Sequence, residues 1–67
     1  MMHLFDVFQV DKTGIPLWVE TAETLETAKG RVGEMLQLNP TGEYMILNQR
    51  TQNKIYVKAN TYLEPFN

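Results

Sequence analysis

Asp11-Lys12-Thr13-Gly14 is the string in this chain whose residue types could do chemistry, since it sets a carboxylate, an amine, a hydroxyl and a glycine in succession at the end of an apolar run. An aspartate so placed can act as a nucleophile only if a basic residue and a metal-binding acidic pair stand beside it. The same four residues also make a tight turn, with the aspartate bonding back to the backbone and the glycine taking φ > 0. The remaining reactive inventory is thin. The single histidine, His3, has no Cys, His or carboxylate partner at metal-ligand spacing, and the eight carboxylates are scattered. Ser and Cys are both absent, which removes serine and thiol nucleophiles. The expectation is a chain that is not an enzyme, with no catalytic residues, no metal site and no cofactor.

Asp-Lys-Thr-Gly after a strand resembles the phosphorylated-aspartate motif of P-type ATPases in the haloacid dehalogenase superfamily. The resemblance covers four residues, Ile15 stands where that family has threonine, and 67 residues are too few for its doubly wound fold. The turn reading is therefore preferred. Gly30-Arg31-Val32-Gly33 similarly resembles the Gly-x-x-Gly loop of KH domains, which clamps a nucleic-acid backbone. That loop joins two helices, whereas Val32 here is needed in the apolar stripe of one.

The elements that would position any site follow from spacing. Leu4 to Asp11 and Ile15 to Thr21 read as a β-hairpin whose loop is Lys12-Thr13-Gly14, pairing Val7 with Val19, Phe8 with Trp18 and Gln9 with Leu17. Thr24 is the expected N-cap of a helix from about Leu25 to Leu38, with Leu25, Ala28, Val32, Met35 and Leu36 as its apolar stripe and Asn39, in a left-handed cap, with Pro40 as its stop. Glu43 to Arg50 and Lys54 to Ala59 read as a second hairpin around Thr51-Gln52-Asn53, with Asn53 at φ > 0 and Leu47 opposite Val57. The expected fold is α+β, in ββαββ order, with one helix packed on a four-stranded, mainly antiparallel sheet. Residues 1–59 form the single domain and 60–67 a tail in which Tyr62, Leu63 and Phe66 could dock on an apolar surface. The order of strands between the hairpins is left open.

The strands carry apolar residues at both odd and even positions, as in a sheet covered on both sides, yet one helix covers only one. The aliphatic sets Phe5, Val7, Ile15, Leu17, Val19 and Met45, Leu47, Ile55, Val57, Ala59 match the helix stripe and are assigned to the core. Phe8, Trp18, Tyr44, Ile46 and Tyr56 are left for the second face, with Asp6 and Glu20 on its first hairpin and Arg50, Lys54 and Lys58 on its second. These five are the expected interface residues, because Trp and Tyr on an exposed apolar patch favour protein contacts; the competing reading is a second small core covered by the tail, Tyr62 to Phe66, and the sequence leaves open which of the two covers the face.

Composition bounds the rest. A chain of 67 residues buries only about 60% of its unfolded surface, so association would stabilise it. Net charge −2 and the lack of a basic leader or long apolar run point to a cytoplasmic protein with no membrane contact, for which nucleic acid is an unfavoured partner. The run from Val10 through Trp18, with Thr24 to Lys29, Pro40 to Tyr44 and Asn48 to Thr51, resembles small bacterial proteins of hairpin, helix, hairpin layout. That group implies the layout and no activity. The leading expectation is an interaction module that forms a homodimer through the aromatic face; the alternative is a module that binds single-stranded nucleic acid there.

Overall fold

The first strand, β1 (Phe5–Val10), lies inside the sheet with a neighbour on each side, because its two faces are both rich in apolar residues. The computed structural model describes residues 4–59. Within it, β2 (Pro16–Ala22), α1 (Leu25–Leu38), β3 (Glu43–Asn48) and β4 (Lys54–Lys58) follow in chain order. All neighbouring strands are antiparallel, and their order is β2-β1-β3-β4. The fold is thus the expected α+β arrangement of ββαββ order. His3 and the tail residues Tyr62, Leu63 and Phe66 lie outside the described residues.

The helix begins where its chemistry says it should. Thr24 is extended (φ −131°, ψ 159°), and its Oγ accepts the Thr27 amide N–H at 3.0 Å, satisfying one orphan donor of the first turn. Glu26 adds negative charge at the same end. At the other end Asn39 donates its N–H to the Met35 carbonyl at 2.9 Å, but its φ of −139° is not the expected left-handed cap. Pro40 follows directly and, lacking an N–H, cannot prolong the helix.

Ala28, Val32 and Leu36 of α1 are buried against Val7, Ala22, Tyr44, Ile46 and Val57, with Leu25 and Met35 partly buried beside them. Val7 and Ile46, opposite each other on the two central strands, are 0% and 1% exposed. This inner pair and its neighbours define the helix-facing side of the sheet.

Two register features differ from expectation. In the first hairpin Phe8 does pair with Trp18 and Gln9 with Leu17, but Val7 pairs with Glu20 because a β-bulge leaves Val19 as the extra residue. The bulge turns Glu20 and Ala22 to the helix side. There Glu20 forms a two-pronged ion pair with Arg31 of α1, whose Nε and Nη2 donate at 2.8 and 3.1 Å, while Arg31 also reaches Glu34 at 3.0 Å. That pairing holds the Glu20 carboxyl below its ordinary range, chiefly through the Arg31 hydrogen bond. Ile15 and Leu17, assigned to the core from sequence, are 55% and 53% exposed at the turn end of the hairpin.

The second hairpin turns earlier than expected. Asn48 accepts the N–H groups of Arg50 and Thr51 on its side-chain oxygen, at 2.9 and 3.2 Å, and this side-chain turn ends β3 at Asn48. The left-handed residue is Gln52 (φ 66°), in place of Asn53. Leu47 consequently faces Lys54, Ile46 faces Ile55 and Tyr44 faces Val57. Relative to the expected Leu47 to Val57 pairing the shift is odd, so β4 keeps its assigned face and β3 exchanges its two sides. Tyr44 and Ile46 go to the core, at 3% and 1% exposure, and Met45 and Leu47 go to the opposite face.

This register has a direct thermodynamic signature. Ile46→Ala should cost about 2 to 5 kcal/mol of unfolding free energy and the milder Ile46→Val about 1 kcal/mol, whereas Leu47→Ala, on the half-buried side, should cost less than Ile46→Ala. Urea denaturation of the three variants checks it; a larger loss at Leu47 than at Ile46 would contradict the register.

Candidate functional site

The side of the sheet away from α1 carries one row of large side chains that crosses every strand. The pairings Trp18 to Phe8, Phe8 to Met45 and Met45 to Tyr56 set these four residues abreast, from β2 across β1 and β3 to β4. Cross-strand neighbours of this type lie about 5 Å apart, close enough for aromatic and sulfur-aromatic contact. The ends of the row are open, with Trp18 60% and Tyr56 55% exposed, and Met45 between them is 5% exposed. On one side of it lie Thr21, Asp6, Leu47 and Lys54, again abreast by register. On the other, Pro16 pairs with Val10 and Glu43 with Lys58.

Trp18 is oriented rather than loose. Its indole Nε1 donates to Asp6 Oδ1 at 3.3 Å, and Asp6 Oδ2 accepts from Gln49 Nε2 at 3.0 Å. The Asp6 carboxylate therefore ties the β2 end of the row to the loop after β3.

Of the five interface residues expected from sequence, Phe8, Trp18 and Tyr56 share this face. Tyr44 and Ile46 do not, because the register of β3 places them under α1. Met45 and Leu47 stand in their stead, and the sequence could identify them only through the early turn at Asn48. Glu20 also leaves the face for the helix side by way of the bulge, while Asp6, Lys54 and Lys58 remain on it.

The Asp11 string is a turn. Asp11 Oδ1 accepts from Thr13 N at 2.8 Å, Thr13 Oγ at 2.7 Å and Ile15 N at 2.9 Å, and the Gly14 N–H returns to the Asp11 carbonyl at 2.9 Å with Gly14 at φ +86°. These donors hold the Asp11 carboxyl below its ordinary range, the Thr13 hydroxyl contributing most. Gly30 and Gly33 lie within α1, unlike the interhelical glycines of KH domains. They line an apolar groove of about 400 Å³ on the helix side, together with Leu36, Gln37, Pro40 and Ala59, with Glu34 the ionisable residue among the described residues of its wall. Among the described residues no three His, Cys, Asp or Glu side chains are grouped to hold a metal ion, and no helix is long and apolar enough to cross a membrane. Comparison with protein-family models, curated proteins and solved structures finds no match to this chain.

The lowered Asp11 pKa fixes a sign. Its contribution is present above the ordinary carboxylate range and disappears as pH falls through its lowered folded value. Asp11→Ala should therefore lower the melting temperature at neutral pH by an amount that shrinks toward zero in strong acid. Melting curves of both proteins across that range test it, and a gap independent of pH would show that the turn does not depend on the ionised carboxylate.

Proposed function

We propose that this chain is a non-catalytic protein-interaction module that self-associates through the open face of its sheet. The observation that carries the reading is the row Trp18, Phe8, Met45, Tyr56, which sets an unbroken band of large side chains across four strands with no layer of described structure over its ends. Trp, Tyr and Met are enriched at the centres of protein interfaces, and an oriented indole loses little side-chain freedom on contact. A second copy also suits a chain of 67 residues, which by itself buries only about 60% of its unfolded surface. The lack of cysteine fits a reducing compartment such as the cytoplasm.

The same row could stack unpaired bases, with Lys54 and Lys58 beside it. Asp6 and Glu43 share the face, however, and the chain carries net charge −2, so it lacks the positive field that gathers phosphates. Self-association is accordingly the stronger reading.

Sedimentation equilibrium over a wide concentration range tests it. The wild-type chain should reach dimer mass, Trp18→Ala should weaken the dimer by at least about tenfold, and Gly30→Ala, where an added Cβ meets nothing within 4 Å, should leave it intact. A monomer at millimolar concentration with exposed-indole emission would overturn the reading. If Trp18 emission then responds to single-stranded oligonucleotides in a steeply salt-dependent way, nucleic-acid binding takes its place.

A further inference from the structure

We infer that residues 60–67, which continue the chain from Ala59, dock in the apolar groove between α1 and the end of β4, on the helix side of the sheet. The helix packs mainly over β1, β2 and β3. The edge strand β4 is therefore incompletely covered on that side, where Ile55, opposite the core residue Ile46, is 37% exposed. Gly30, Gly33, Leu36, Gln37 and Pro40 supply the α1 side of the groove, about 400 Å³ in volume, and Ala59 supplies the β4 side.

The place where the described chain ends selects the occupant. Lys58 stands opposite Glu43, so the chain leaves β4 at the end of the sheet where α1 hands over to β3, and Ala59 packs against the helix-side core. Its next apolar residues are Tyr62, Leu63 and Phe66, and Glu64 is the one charged side chain in 60–67. Eight extended residues reach up to about 26 Å, while the α1 wall from Gly30 to Gln37 is only about 10 Å long. The segment thus starts in the wall of the groove and is long enough to fill it. Its tether also gives it an effective concentration of about millimolar or more, an advantage over any separate partner. To reach the aromatic row instead, the same residues would have to round the edge strand past Lys58 and Glu43, leaving an apolar groove for a charged margin. Docking on the helix side leaves Trp18, Phe8 and Tyr56 clear for a partner.

Nuclear Overhauser spectra of isotope-labelled wild-type chain, diluted into a large excess of unlabelled chain, test this, because cross-peaks between two labelled groups then arise within one chain. Leu63 and Phe66 should show cross-peaks to the Leu36 methyl groups and the Gly33 α-protons. Cross-peaks to Trp18, Phe8 or Met45 would place the segment on the opposite face and overturn the inference, and so would the absence of any contact to the folded domain. The groove contacts appearing only between labelled and unlabelled chains would show a second copy's segment in the groove, which also overturns it. The self-association is read separately, from the sedimentation mass of the wild type and Trp18→Ala, so either reading can fail while the other stands.

Discussion

Val7 packed against Ile46, in the core they share with Val32, is the contact on which the rest of the molecule depends. It joins the two central strands, which are far apart in sequence, and it settles which side of each strand meets the helix. Once Val7 and Ile46 face α1, the two-residue repeat of a strand sends Phe8 and Met45 to the other side. Among the described residues a single helix of fourteen residues covers one face of the four-stranded sheet. The aromatic row on the open face is therefore a consequence of core parity in strands that are apolar on both sides.

Short-range polar contacts then hold the elements at the angles this core requires. Asp11 closes the first turn, Thr24 starts the helix and Asn48 starts the second turn, each by offering a side-chain oxygen to backbone N–H groups that would otherwise lack a partner. The Val19 bulge has a different task, since it rotates Glu20 toward Arg31 and so couples the edge strand β2 to the helix. Much of that ion pair is open to solvent, with Arg31 51% exposed, so its value lies in fixing orientation more than in stability.

The sequence made some of this legible and hid the rest for physical reasons. The helix limits were readable because Thr24, the apolar stripe and Pro40 each carry an independent signal, and Asp-Lys-Thr-Gly with the Phe8 and Trp18 pair was readable because turn chemistry fixes local register. The bulge at Val19 was not, since valine carries no mark of an unpaired position and the driving contact, Glu20 with Arg31, is between elements. Alternation also failed in β3. Tyr44, Met45, Ile46 and Leu47 are all large and apolar, so no residue type there distinguishes inside from outside, and only the turn at Asn48 decides. Two of the second hairpin's three expected interface residues, Tyr44 and Ile46, were assigned to the wrong side of the sheet for that reason, while Phe8, Trp18 and Tyr56 do lie on the side away from α1. The strand order β2-β1-β3-β4 depends on the Val7 to Ile46 pairing, a long-range contact with no local signature.

The central proposal is that, with one sheet face closed by the chain's own helix, a second copy covers the other. Isotope-filtered nuclear Overhauser spectra of a mixed labelled and unlabelled sample test it most directly, because they report only contacts between copies. The account predicts cross-peaks between copies from the Trp18 and Tyr56 rings to side chains of the same face, with none to Val32 or Leu36. Intermolecular contacts confined to the helix, or none at concentrations where the mass is dimeric, would contradict it.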